Sequence, residues 1–168
     1  MTFCLGNETE DWAILELRNS AQKFTSFFPL CEINDLPDIL MRPELKALYA
    51  PIGQYRINPF RELKIWAGKY ELVLQLDEEE KKIFVDGGLY RGSCGAPYID
   101  RNNKVVALHL ASLNEGRELS YTKKKRTVED LAELMTDQSD VHHSIREGLV
   151  LALVPDIQNF ITQHSEKR

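Results

Sequence analysis

Gly92-Ser93-Cys94-Gly95-Ala96-Pro97-Tyr98-Ile99 is the stretch on which the reading of this chain turns. A reactive side chain set between glycines has a physical logic. The backbone must bend sharply so that the side chain projects outward while N–H groups point into the same space, and glycine adopts such conformations without a Cβ penalty. Two such N–H groups stabilise the oxyanion of acyl transfer. Here Cys94 would be the nucleophile, and the N–H groups of Gly92 and Cys94 the donors. The same residues also fit a glycine turn around an inert buried cysteine, since free cysteine is among the most buried residue types.

Outward from this turn the chain reads as short strands. Glu71 to Leu76 (ELVLQL) and Lys82 to Val85 are strand-like and flank a charged tip, Glu78-Glu79-Glu80-Lys81. Downstream, Tyr98 to Asp100 and Lys104 to Ala111 form another strand pair. They are joined by Asp100-Arg101-Asn102-Asn103, a composition typical of tight turns. Trp12 to Leu17 reads as one more short buried strand. The proline-broken segment from Ala21 to Leu48 reads as a connector, with a short helix near Pro43 to Leu48. After the strands, Thr127 can cap a helix over Val128 to Met135, and Pro155 opens a second helix with Ile157, Phe160 and Ile161 on one face.

Gly92 to Pro97 resembles the G-x-S-G-G-P signature of the chymotrypsin/trypsin-like peptidase superfamily, with Cys94 in the serine position and Ala96 in place of the second glycine. The cysteine form is similar to the G-x-C-G motif of picornavirus-type cysteine proteases. Val105-Val106-Ala107-Leu108-His109-Leu110-Ala111-Ser112 is similar to the G-x-H-x-A-G strand of those enzymes, with Ala107 and Ser112 replacing glycines. In that family the histidine lines the primary specificity pocket and contacts a glutamine side chain of the substrate. The resemblance therefore implies a pocket of His109, Gly88 and Ala111. The reading of His109 as a core histidine satisfied by a backbone carbonyl stands beside it. Upstream, Asp11-Trp12-Ala13-Ile14-Leu15 is similar to the D-x-A-x-L segment, whose aspartate orients the catalytic histidine. Leu48 to Gly53 resembles the Gly/Pro turn that opens the second barrel in bacterial HtrA-like members.

The resemblance implies a mainly β fold. Its core is a chymotrypsin-like antiparallel β-barrel, the second barrel largely complete and the first mostly absent, with C-terminal helices. The expected organisation is 1–20 as a first-barrel remnant, 21–48 as connector, 49–122 as the second barrel and 123–168 as a helical tail. It implies an endopeptidase domain with Cys94 and Asp11 as catalytic residues. The general base is the gap. The four histidines, His109, His142, His143 and His164, all follow Cys94, whereas the family order places the base first. An incomplete peptidase, a base supplied by another chain, and a pseudoprotease acting as a protein-binding module are the readings this leaves.

Composition narrows the partners. A net charge of −5 over 168 residues disfavours nucleic acid. No apolar run approaches the roughly 20 residues of a membrane span. Three scattered cysteines without a leader-like start favour a reducing interior, cytoplasmic or nuclear. The basic Lys123-Lys124-Lys125-Arg126 reads as an exposed loop. His142-His143 lacks further ligands at metal spacing, so neither metal nor cofactor is expected. The expected partners are a peptide or protein substrate and a complementing chain or second copy. The last would dock on apolar surface formed by Trp12, Ile14 and Leu15 with Phe24, Phe27 and Phe28.

Overall fold

Alternating apolar and polar residues around Asx-type turns build the fold, which a computed structural model describes for residues 2–16, 26–49, 65–89, 93–113 and 144–165. Strands β1 (Thr2–Asn7) and β2 (Trp12–Glu16) form a separate antiparallel hairpin. A 3-10 turn (Ile33–Asp35) runs into helix α1 (Leu36–Met41). Strands β3 (Glu44–Tyr49), β4 (Trp66–Ala67), β5 (Glu71–Asp77), β6 (Lys82–Asp86), β7 (Pro97–Ile99), β8 (Val105–Leu113) and β9 (Ile145–Val150) follow. A second 3-10 turn (Leu151–Leu153) leads into helix α2 (Pro155–Ser165).

Strands β3, β5, β6, β9, β8 and β7 pair antiparallel in that order, and β7 returns to β3, which closes a six-stranded barrel. Strand β7 lying beside β3, with β5 and β6 on the other side, is a Greek key, and the β8–β9 pair fills the remaining gap. Strand β4 extends the ladder of β5 along β3, offset by one residue of register. The turns are as the composition demands. Asp100 Oδ1 accepts the N–H groups of Asn102 (2.8 Å) and Lys104 (2.9 Å), and Asp77 Oδ1 accepts that of Glu80 (3.0 Å).

Three expectations change. The helix placed at Pro43 to Leu48 is strand β3; the helix lies earlier, at Leu36–Met41. The barrel is not confined to 49–122, because its first strand starts at Glu44 and its last ends at Val150. The segments read as connector and tail each contribute one strand. The Thr127 helix, the 123–126 basic run and His142-His143 lie outside the described residues.

Small closed barrels are filled by their own side chains. Leu45, Ala47, Val73, Ile83, Val85, Tyr98 and Val150 form the main cluster, which Cys31, Leu36 and Ile39 join from the connector and α1. A second cluster on the outer face combines Ile99, Val105, Leu149, Leu151 and Val154 with Ile157 and Ile161 of α2. Trp12 and Ile14 pack against it, so the N-terminal hairpin folds back onto the barrel. Lys81 at the β5–β6 turn pairs with Glu10 and ties the hairpin down. Leu15, Phe27 and Phe28 stay exposed at 48 %, 63 % and 49 %; Phe24 lies outside the described residues. Among the described residues no helix is long and apolar enough to cross a membrane.

Gly148 leaves room for Tyr98. A Cβ built there would lie 2.7 Å from Tyr98 Cε2 and 3.2 Å from the Ala107 Cβ, both fully buried. Overpacking of this kind costs about 1–3 kcal/mol. Gly148→Ala is therefore expected to lower the urea unfolding midpoint although alanine suits a strand better than glycine. An unchanged midpoint would mean that the Tyr98 ring is not held where the packing places it.

Candidate active site

Ser93 to Ala96 forms a β-turn closed by the Ala96 N–H donating to Ser93 O at 2.9 Å. Gly95 has φ +86° at the third position, which defines a type II turn and places Cys94 at the second position. Two hydrogen bonds tie the turn to β8: Gly95 N–H to His109 O (2.7 Å) and His109 N–H to Ala96 O (2.8 Å). The Cys94 side chain is exposed, and its S–H donates to Leu110 O at 3.3 Å. Leu110 sits at an irregularity of β8, where the register with β9 shifts between His109 and Ala111; such bulges re-aim side chains and free backbone groups. Ser93 is buried with its hydroxyl unpartnered. Gly92 lies outside the described residues.

The other two cysteines differ. Cys31 is fully buried, and burial pushes its thiol up to about 12, which makes it inert. Cys4 is exposed on β1, in the hairpin, with its sulfur directed at Thr2 O.

His109 is 4 % exposed on β8, paired with Gly148. Directly paired residues share a face, so its ring shares the interior with Tyr98, and the Tyr98 hydroxyl and His109 Nδ1 are 2.5 Å apart. Burial, then the nearby Arg146 charge, lowers the imidazole to about 4. This contact engages Nδ1 of the ring. The partner is thus a tyrosine hydroxyl, where the core reading foresaw a backbone carbonyl.

The bulge has a second consequence. Ser112 pairs with Arg146, two residues from Gly148 on the same face of β9, so Ser112 and His109 both look inward. Ala111 faces the other way and packs with Leu74, Phe84, Leu113 and Ile145. Ala111, expected beside His109, thus faces away from it, and Ser112 faces the side that His109 faces. Gly88 does lie at this end: a Cβ there would meet Ser144 Cβ at 2.9 Å and Ser112 Oγ at 3.8 Å, and the Leu89 N–H donates to Ser112 Oγ at 3.1 Å.

Asp11 is exposed, with φ 60° in the β1–β2 turn. Among the described residues the histidines are His109 and His164, and neither hydrogen-bonds Asp11 or Cys94. His109 is engaged with Tyr98. His164 stacks on Phe160 at 3.8 Å and bonds its carbonyl. Two site residues escape a reading of the sequence: Tyr98, which follows the motif directly, and Arg146, one of two charges inside a buried strand. No group of metal-type ligands occurs among the described residues.

Comparison with protein-family models, with curated proteins and with solved structures finds no match for this chain.

The buried imidazole sets a pH dependence. Its folded value of about 4 lies below the ordinary 6.5, so on acidification the unfolded chain takes the proton first. Stability is complete above pH 6.5 and falls as the pH drops toward 4, by at most about 3 kcal/mol. The carboxylates of Glu10, held down by Lys81, and Asp35, held down by the Glu32 N–H, lose their contribution only below 4.5 and 3.8. Urea titrations are thus expected to show a slope between about pH 5 and 6.5 that His109→Gln removes. An equal slope in the variant would assign it to another group.

Proposed function

We propose that this chain is the nucleophile-bearing barrel of a chymotrypsin-like cysteine peptidase, in which Cys94 accepts the acyl group of a peptide or protein substrate. One observation carries the reading. An exposed thiol occupies the second position of a glycine turn that is hydrogen-bonded into a closed antiparallel barrel through the backbone of His109. That arrangement supports the expected roles of Cys94 as nucleophile and of the His109 face as substrate pocket; the N–H groups of Cys94 and, by the motif alone, of Gly92 are the proposed oxyanion donors. The base is to come from a complementing chain, with Asp11 as its orienting carboxylate.

A second reading, a binding module of the same fold that cleaves nothing, has its own support. The thiol is engaged with Leu110 O, and no imidazole of the described residues hydrogen-bonds it. The two readings part on an activated substrate. A peptidyl p-nitrophenyl ester needs no proton donor for its leaving group. As the Sγ–acyl bond forms, the ester C–O bond breaks, the thiol proton goes to solvent and p-nitrophenolate departs. The peptidase reading expects a burst of one p-nitrophenolate per chain, followed by slow deacylation. Reversible peptide binding without a burst would favour the binding module.

A further inference from the structure

Arg146 is 3 % exposed, yet among the described residues it has no carboxylate at ion-pair distance. Its Nη2 donates to Asp86 O at 3.1 Å, its guanidinium lies 5.3 Å from the centre of the Tyr98 ring, and its Nε has no partner. Buried charges are ordinarily paired, because desolvation is otherwise uncompensated. The carboxylates of Asp86 and Glu71 are close enough to be felt, but Asp86 Oδ1 accepts the Gly87 N–H. Burial draws the guanidinium down from its ordinary value, the sign of a cation kept without full compensation.

The neighbours of Arg146 make the same point. His109 shares Tyr98 with it through Nδ1. Ser112, paired with Arg146, already accepts the Leu89 N–H and keeps its O–H as a donor. Gly88, exposed and without a side chain, and the small Ser144 sit at the same end of the barrel. The free Arg146 Nε–H and the Ser112 O–H are both donors, and the guanidinium adds a positive charge. A carboxylate is acceptor-only and satisfies such a set, whereas a carboxamide would turn its NH₂ toward donors.

We propose that Arg146 and His109 form the floor of the substrate pocket and that they receive an acidic side chain, glutamate before glutamine, at the residue preceding the scissile bond. The inference rests on the peptidase reading and names its substrate class.

The test uses the full chain and two peptidyl vinyl sulfones that differ only in ending on glutamate or glutamine. In each, the Cys94 sulfur bonds to the vinyl carbon, and the proton displaced from the thiol is matched by one taken up from water at the carbon beside the sulfone. The glutamate probe is expected to modify Cys94 at least about tenfold faster, as one charge-assisted contact gives. Arg146→Gln should bring the ratio to one or below. The wild-type ratio stands by itself if that variant does not fold. A glutamine probe as fast as or faster than the glutamate probe overturns the acidic preference and leaves the peptidase reading intact. If neither probe modifies Cys94 faster than it modifies Cys4, both fall.

Discussion

Tyr98→Ala is expected to lower the unfolding free energy of this protein by about 3–5 kcal/mol, the range for deleting a buried aromatic ring. The residue is 1 % exposed at the centre of the barrel. Its ring fills the space that Gly148 leaves and carries the guanidinium of Arg146 on its face. Its hydroxyl, whose ionisation burial pushes upward, is the partner of His109. Truncation therefore opens a cavity and orphans two polar groups at once. Tyr98→Phe separates the two effects: it keeps the ring and removes the hydroxyl, for an expected cost of about 1–3 kcal/mol from the unpaired imidazole. Denaturant unfolding of both variants checks this. Equal losses would mean that the hydroxyl, rather than the ring, holds the barrel's centre.

Hydrolysis of unactivated peptide amides by this chain alone is expected to fall orders of magnitude below the roughly 1–10³ s⁻¹ of ordinary enzymes. Breaking an amide C–N bond requires a proton on the departing amine. The imidazoles among the described residues are committed to Tyr98 and to the Phe160 carbonyl. In the proposed roles, a thiol and oxyanion donors without a base give about the residual 10³–10⁴-fold over water that serine peptidases keep on losing a triad member. Added imidazole is expected to raise the amide rate of the wild-type chain and to leave Cys94→Ala unchanged. A full enzymatic rate without additive, lost in Cys94→Ala, would reveal a base that the described residues do not contain.

The parts of the fold that were legible in sequence are those where local chemistry and tertiary structure agree. The ELVLQL strand, the charged tip after it and the Asp100 turn all form where read, because side-chain hydrogen bonds to backbone fix them locally. Strand β3 was not legible. Glu44-Leu45-Lys46-Ala47-Leu48 consists of good helix formers, and only barrel closure, which buries Leu45 and Ala47 on one face, makes it a strand. Strand β9 was hidden by Arg146 and Glu147, two charges in a fully buried strand. Its Glu147 is matched by Lys82 at 2.6 Å, and Arg146 lies against Tyr98. The Cys94 turn was legible from its glycines and His109 from its strand. The exchange of Ala111 for Ser112 was not, since a bulge at Leu110 reverses the alternation without leaving a mark in composition.

The central claim is that Cys94, and no other thiol of the chain, accepts an acyl group. Peptide mapping by mass spectrometry after brief exposure to the p-nitrophenyl ester tests it most directly, because Cys4 is an exposed internal control and Cys31 a buried one. The account predicts one acyl group per chain, on Cys94, formed at least about tenfold faster than on Cys4 and absent from Cys94→Ala. Equal acylation of Cys94 and Cys4, or acylation of Cys4 alone, would contradict it.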